Sequence, residues 1–355
     1  MNLKDKTVTI VGLGAAGLAA ARFCLGQGAR VRVTDVRAES ELAEALATLT
    51  GVEHFLGAHP EGAFEGADIV MVSPGVPLSS EPLRRAAAGG LRLVGDVEFA
   101  APYLSAPTIA VTGTNGKSTV TALLGEMLAG AGRNVFVGAN LGRPVFEAAG
   151  ADFDALVLEL SSYQIETLES LHPKVALLLN VTEDHLDRYD SFEHYRATKA
   201  RLLALVPADG TAVVNLDDPA AMNSAQGIAA RCVGFTLKNA QAPAGWGCVR
   251  LDGESARSAA GTHIDLSGSK LTGRHNLANL LAAVAAAEAF GLSDAQIEAG
   301  IAAFKGLPHR CEFVAEVSGV SYFDDSKGTN VGAVCESLKG FAGPVILVAG
   351  GVSKH

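Results

Sequence analysis

Lys117 and Ser118, directly behind Gly113-Thr-Asn-Gly116, are the residues whose types and spacing best fit anion chemistry. A glycine loop between a strand and a helix N-terminus turns backbone N–H groups and a positive dipole end toward one point. Lys117 can then reach the β/γ-phosphates of a nucleotide and Ser118 can ligate Mg²⁺, with Gly113, Thr114, Asn115, Gly116 and Thr119 forming the cradle. The strict G-x-x-x-x-G-K-[ST] pattern is broken, because Val111 stands at the first glycine position. The flanking apolar runs still favour a nucleoside triphosphate site over an ordinary glycine turn with a surface lysine.

A second cradle lies near the start. Gly12-x-Gly14-x-x-Gly17 follows a β-rich run, and a second short strand ends in Asp35. This is a dinucleotide-type fingerprint in its proper setting, with an acid poised for a ribose or base. It indicates a diphosphate on the helix start without deciding which one, so a nicotinamide oxidoreductase stands as an alternative that leaves Lys117 unexplained. Further polar groups sit at the ends of apolar runs. Glu159, within Ala155–Leu160, is costly to bury unless a cation or salt bridge compensates it. His185 could ligate a metal or be a satisfied loop residue. His309-Arg310 could bring a guanidinium to phosphate or be a surface pair. Asp324-Asp-Ser-Lys327 gathers acid, hydroxyl and amine. Lys199, on a helix, carries no signal of its own, since helical lysines are usually solvated.

The elements that must hold these groups alternate strand and helix. Thr7–Val11, Val31–Thr34, Asp68–Ser73 and Leu91–Val94 read as strands of a first unit. Ser73-Pro-Gly75-Val-Pro77 forms a tight loop at a strand end, and Pro102 and Pro107 mark a linker. Ile109–Val111, Ala155–Leu160 and Val175–Asn180 are unbroken apolar runs, as expected of strands buried on both faces of a mainly parallel sheet. Helices are expected over Lys117–Ala131, Phe192–Leu205, Gly273–Phe290 and Asp294–Phe304, with hairpins and loops over 236–270. Beyond Gly306-Leu-Pro308, strands at Phe313–Val317, Ser321–Asp324 and Pro344–Ala349 and a helix at Asn330–Lys339 suggest a third α/β domain cut short.

The 48% hydrophobic and 19% charged composition fits folded domains rather than disorder, and 355 residues suffice for two or three of them. A formal net charge of −10 argues against nucleic acid. Five cysteines without a C-x-x-C pair suggest reduced thiols and a cytoplasmic location. Lys4 and Lys6 before Val8–Ala21 imitate an export signal, but Gly12, Gly14 and Gly17 interrupt the run. No stretch is long and apolar enough to span a membrane.

Taken together, Val111-Thr-Gly-Thr-Asn-Gly-Lys-Ser-Thr119, Glu159-Leu-Ser-Ser-Tyr-Gln164, Asn180-Val-Thr-Glu-Asp-His185, Gly273-Arg-His-Asn276, Gly306-Leu-Pro-His-Arg310 and Asp325-Ser-Lys-Gly-Thr-Asn330 resemble the Mur ligases, ATP-dependent amide ligases of peptidoglycan precursor synthesis. The resemblance implies a three-domain α/β architecture. A Rossmann-like domain (1–102) would hold the UDP of UDP-MurNAc-L-Ala through Gly14, Ala15, Ala16, Gly17, Asp35, Arg37 and Gly75. A P-loop-type central domain with a mainly parallel sheet (103–306) would bind MgATP. An incomplete Rossmann-like domain (307–355) would bring D-glutamate. By motif matching, Lys117 and Arg310 would stabilise the transferring phosphoryl group. Ser118 and Glu159 would hold one Mg²⁺, and His185 with a carbamylated Lys199 a second. Asn140 and Ser161 would meet the sugar-nucleotide substrate. Asn276, Asn279, His309 and Asp325 would meet the nucleoside of ATP, and Lys327, Thr329 and Lys354 would meet D-glutamate. The expected protein is a cytoplasmic monomer. Within the resemblance, another amino acid specificity or a non-catalytic nucleotide-binding fragment are the alternatives.

Overall fold

The computed structural model describes residues 1–184, 188–341 and 343–351 (for Glu336, the backbone alone). His185 and Lys354 lie outside the described residues. Among those described, the chain packs as two compact units. One comprises Met1–Ala106, Gly138–Phe153 and Ser161–Leu171, and the other Pro107–Val137, Asp154–Leu160 and the chain from His172 onward.

In the first unit, β1 (Thr7–Val11), β2 (Arg30–Asp35), β3 (Glu53–Leu56), β4 (Ile69–Val72) and β5 (Leu93–Gly95) form a parallel sheet in the order β3-β2-β1-β4-β5. Every residue of β1 is buried, which accords with its unbroken apolar and β-branched sequence. The order reverses between β1 and β4, so the loops leaving these two strands flank a switch point, where parallel sheets bind ligands. The Gly12–Gly14 turn and Ser73–Pro77 are those loops.

In the second unit, β6 (Thr108–Thr112), β7 (Val135–Ala139), β8 (Ala155–Glu159), β9 (Val175–Leu178), β10 (Thr211–Asn215), β11 (Arg231–Thr236), β12 (Gly247–Asp252), β13 (Ser255–Arg257) and β14 (His263–Asp265) follow the order β14-β13-β12-β11-β10-β9-β6-β8-β7. The pairings from β8 through β6, β9, β10 and β11 to β12 are parallel, and β13 and β14 add the antiparallel edge expected from residues 236–270. The helices Lys117–Gly130, Arg274–Phe290 and Asp294–Ala303 bury Leu123, Leu124, Met127, Leu281, Val284 and Ile297 against Ile109, Val157, Leu177 and Val213. That single core fixes the C-terminal ends of β6, β8 and β9 beside one another. Val111 is in register with Glu159 and Thr112 with Leu178, so the loops leaving these strands open on one edge.

The tail departs from expectation. β15 (Glu312–Val317) and β16 (Val320–Asp324) make an antiparallel hairpin, followed by the helix Val331–Leu338. Pro344–Ala349 does not form the expected strand, and Ile346 and Val348 are 91% and 93% exposed. An apolar run specifies a strand only where a neighbour pairs its backbone and covers its faces, and the described residues give this run neither.

Candidate functional site

The first cradle is built on close backbone approach. The helix Ala15–Gly26 starts against the turn, and a Cβ at Gly17 would fall 1.9 Å from the Gly12 carbonyl oxygen. No side chain is tolerated there. A Cβ at Gly14 or Gly75 would meet nothing within 4 Å, so both positions border open space. The Ser73 hydroxyl donates to the Gly12 carbonyl at 2.7 Å, joining the two loops of the switch point. Asp35, at the end of β2, accepts from the Leu13 N–H at 2.7 Å and from the Arg37 N–H, Nε and Nη2 at 3.0, 3.0 and 2.7 Å. Burial pushes its carboxyl upward, but these hydrogen bonds and the Arg37 charge outweigh it and leave the pKa at about 2. The anion thus ties β2 to the glycine turn. Ala15, Arg37 and Asn140 are exposed, Ala16 and Ser161 half-buried.

Ser161 belongs to this unit through a small network. It caps the short helix Ser162–Ile165, accepting from the Gln164 N–H at 3.3 Å, while its own N–H donates to Gln164 Oε1 at 3.1 Å. Gln164 Nε2 donates to Asp96 at 2.9 Å. Burial raises Asp96 to a pKa of about 6 despite that bond.

The second cradle is more heavily charged. The loop from β6 reaches the helix Lys117–Gly130 through Gly116, whose φ of 85° and whose 2.3 Å approach of a would-be Cβ to Asn279 Oδ1 admit only glycine. Lys117 Nζ donates to the carbonyls of Gly113 and Thr114 at 3.0 and 2.9 Å. Lys199 Nζ reaches the same Gly113 carbonyl at 2.9 Å and lies 4.8 Å over the Tyr195 ring. Arg310 Nη2 donates to Ser118 Oγ at 2.8 Å. Three basic side chains therefore meet on one seven-residue stretch, Thr112–Ser118. Lys199 is 1% exposed, and burial, then the Lys117 charge, push its amine well below the usual lysine range against the pull of Asp184 and Glu159. Glu159 is 3% exposed at the end of β8, next to β6.

A cavity of about 390 Å³ adjoins the loop, lined by Asn115, Gly116, Asn276, Asn279, Arg310 and Asp325 among others. A cradle that excludes Cβ atoms, a helix start, the cations Lys117 and Arg310, and a cavity with both polar and apolar walls suit a nucleoside triphosphate. The Ser118 hydroxyl and Glu159 carboxylate are hard oxygen donors of the kind Mg²⁺ takes.

Every residue expected to meet the sugar nucleotide falls in the first unit, including Asn140 and Ser161 from later in the chain. Lys117, Ser118, Glu159, Lys199, Asn276, Asn279, His309, Arg310 and Asp325 fall in the second. His309 is exposed, outside the cavity lining, bonded to Asp324 at 2.6 Å. Lys327 and Thr329 are exposed on the loop before the Val331–Leu338 helix. Sequence reasoning missed Asn215 and Phe235 on the cavity wall. Their signal was available: both sit at C-terminal ends of parallel strands on the loop side of the sheet.

Residues 111–287 match the family model of the Mur ligase middle domain, and residues 6–95 that of the Mur ligase MurD-like N-terminal domain. A UDP-N-acetylmuramoylalanine–D-glutamate ligase of Geotalea daltonii is 41% identical over 363 aligned positions, spanning 100% of this chain and 79% of its own. One of the same name from Desulfatibacillum aliphaticivorans is 44% identical, spanning 100% and 80%. Among solved structures, the UDP-N-acetylmuramate:L-alanyl-gamma-D-glutamyl-meso-diaminopimelate ligase of Neisseria meningitides superposes with a TM-score of 0.59 at 19% identity, covering 85% of this chain and 99% of that one. A UDP-N-acetylmuramate-alanine ligase of Thermotoga maritima gives 0.54 at 19% identity, covering 90% and 74%. These structural likenesses speak to the fold.

Proposed function

The chain belongs to the Mur ligase family, and from that premise we propose that it joins D-glutamate to UDP-N-acetylmuramoyl-L-alanine using ATP, in the building of peptidoglycan precursors. The observation that carries the reading is the meeting of Lys117, Lys199 and Arg310 on the loop Thr112–Ser118. Phosphoryl transfer asks a protein mainly for positioning and charge neutralisation, and this loop supplies both.

In this reading residues 1–102 hold the sugar nucleotide, 103–306 the ATP, and 307–355 begin a domain for the amino acid. Gly14, Ala15, Ala16 and Gly17 offer backbone N–H groups to the UDP diphosphate, Asp35 and Arg37 face the nucleoside, and Gly75, Asn140 and Ser161 line the path of the sugar. In the second cradle Gly113–Thr119 wrap the ATP phosphates, and Asn276, Asn279, His309 and Asp325 orient the nucleoside. A carboxylate oxygen of the alanyl group attacks the γ-phosphorus, the bond to ADP breaks, and an acyl phosphate forms. Lys117 and Arg310 neutralise charge on the moving phosphoryl oxygens. D-glutamate is held through Lys327, Thr329 and Lys354; its amine attacks the acyl carbon and gives up a proton, and inorganic phosphate leaves.

Ser118 and Glu159 would hold one Mg²⁺, and His185 with Lys199 a second; bound there, the ions would screen phosphate charge. A bare ammonium cannot ligate a metal. Burial, then the Lys117 charge, lower the pKa of the Lys199 amine and so favour its uncharged form, the form that adds CO₂ and loses a proton to become a carbamate anion. Among the described residues no helix is long and apolar enough to cross a membrane.

The test is phosphate release from ATP with each substrate omitted in turn. Release that requires both UDP-N-acetylmuramoyl-L-alanine and D-glutamate supports the reading; release indifferent to D-glutamate, or to both, overturns it.

A further inference from the structure

Three asparagine amides, Asn180, Asn115 and Asn330, run in a chain from the end of β9 to the helix Val331–Leu338, and the first and last are fixed in orientation by their partners. Asn180 Oδ1 accepts from the Asn115 N–H at 2.8 Å, and Asn180 Nδ2 donates to the Asn115 carbonyl at 3.0 Å. Both backbone groups of Asn115 are thereby held, in the manner of a base pair. The neighbouring Thr114 N–H donates to the Asn180 carbonyl at 2.9 Å, so this side of the phosphate loop is rigidly attached to the sheet.

The side-chain oxygen of Asn115 turns the other way and accepts from Asn330 Nδ2 at 3.1 Å. Asn330 cannot be flipped to reverse that bond. Its Oδ1 accepts from the Ala333 N–H at 2.8 Å and caps the helix Val331–Leu338. Its Nδ2 therefore must face Asn115, with a second, longer contact to Asp184 at 3.4 Å. The first turn of the helix also borders the loop: a Cβ at Gly332 would sit 3.7 Å from Asn115 Nδ2.

We propose that Asn330 is a positioning residue that couples the phosphate loop to the segment carrying Lys327 and Thr329. One amide does two separable jobs. Its oxygen starts the helix, and its nitrogen holds Asn115 and, through it, the ATP-binding loop. Because Lys327 and Thr329 immediately precede it, the same tie sets where the amino-acid-binding segment stands relative to ATP. This rests on the ligase reading for D-glutamate, and on the phosphate loop alone for ATP.

Asn330→Ser separates the jobs, since serine is a good cap but too short to reach Asn115. In the full protein, KM for ATP and KM for D-glutamate should each rise roughly 5- to 10-fold, the range expected for one lost hydrogen bond in a binding step. KM for UDP-N-acetylmuramoyl-L-alanine and the thermal midpoint should stay near wild type. Should the serine variant lose helix content or fold poorly, Asn330→Asp carries the test: it caps as well as asparagine, cannot donate, and should raise KM for ATP at least as much. Unchanged KM for ATP in both variants, or an equal rise for all three substrates, overturns the proposal. Titration with a non-hydrolysable ATP analogue keeps the outcomes apart. Weaker analogue binding in Asn330→Ser upholds the tie even if the wild type proves not to ligate D-glutamate, and undiminished binding refutes it even if ligation is confirmed.

Discussion

The two glycine cradles of this chain look alike in sequence and differ in charge. The first pairs a tight turn with one buried carboxylate, Asp35, which accepts from the Leu13 N–H and from Arg37. The second gathers Lys117, Lys199 and Arg310 on seven residues and sets Glu159 on the adjoining strand. A diphosphate that is only carried needs orientation and backbone donors. A phosphate that is transferred needs its charge dispersed as bonds change, which asks for several cations in a site sheltered from water. Glycine loops mark where an anion goes, and the surrounding charges mark what happens to it.

The largest effect should come from removing a charge of the second cradle. Lys117→Ala is expected to lower kcat by roughly 10²–10³-fold, measured as phosphate release, with KM for the sugar nucleotide unchanged. If Lys199 carries the proposed carbamate, Lys199→Ala should be comparably inactive and partly rescued by short carboxylic acids standing in for it; full activity without rescue would rule the carbamate out. In the first cradle Gly17→Ala sets a methyl against the Gly12 carbonyl and should cost about 1–3 kcal/mol in denaturant unfolding. It should raise KM for the sugar nucleotide while sparing ATP. Asp35→Asn should raise that same KM by roughly tenfold, as expected for a weakened charge-assisted bond.

The smallest effects are in pH dependence, where two buried aspartates of the first unit should oppose each other. Asp35 has its folded pKa lowered to about 2, so its stabilisation is complete above its usual range near 4 and fades as pH falls through about 2. Asp96 is raised to about 6, so the folded form holds its proton more tightly and stability falls as pH rises from about 4 to about 6. Asp96→Asn should flatten the slope between pH 4 and 6, and Asp35→Asn the acid limb. Thermal melts against pH read both, and a steeper slope in either variant would contradict the assignment.

Both cradles were legible in the sequence because their determinants are local: glycines at fixed spacing, a helix start, an acid ending the next strand. The apolar runs around Glu159 and Asn180 also fixed the central sheet, since strands buried on both faces leave no other reading. Lys199 was not legible from composition or periodicity. Its burial comes from tertiary packing that brings Gly113 to it from 86 positions away, while Tyr195 lies one turn back on the same helix, and only the family resemblance singled it out. Asn330 was equally silent, because a helix cap at the start of a helix is common and its second partner lies 215 positions away. Residues 138–153 and 161–171 pack with the first unit although a P-loop domain precedes them in sequence, an arrangement no linear boundary signal encodes. Pro344–Ala349 shows the opposite failure: a local apolar pattern suggested a strand for which the described residues supply no partner.

The central claim is that the two cradles hold different ligands and fail independently. Calorimetric titration of the wild type, Asp35→Asn and Lys117→Ala, each with UDP-N-acetylmuramoyl-L-alanine and with a non-hydrolysable ATP analogue, tests it directly. The account predicts a crossed pattern: Asp35→Asn loses affinity for the sugar nucleotide alone, and Lys117→Ala for the ATP analogue alone. A variant that loses both ligands together, or sugar-nucleotide binding that weakens only in Lys117→Ala, would contradict it.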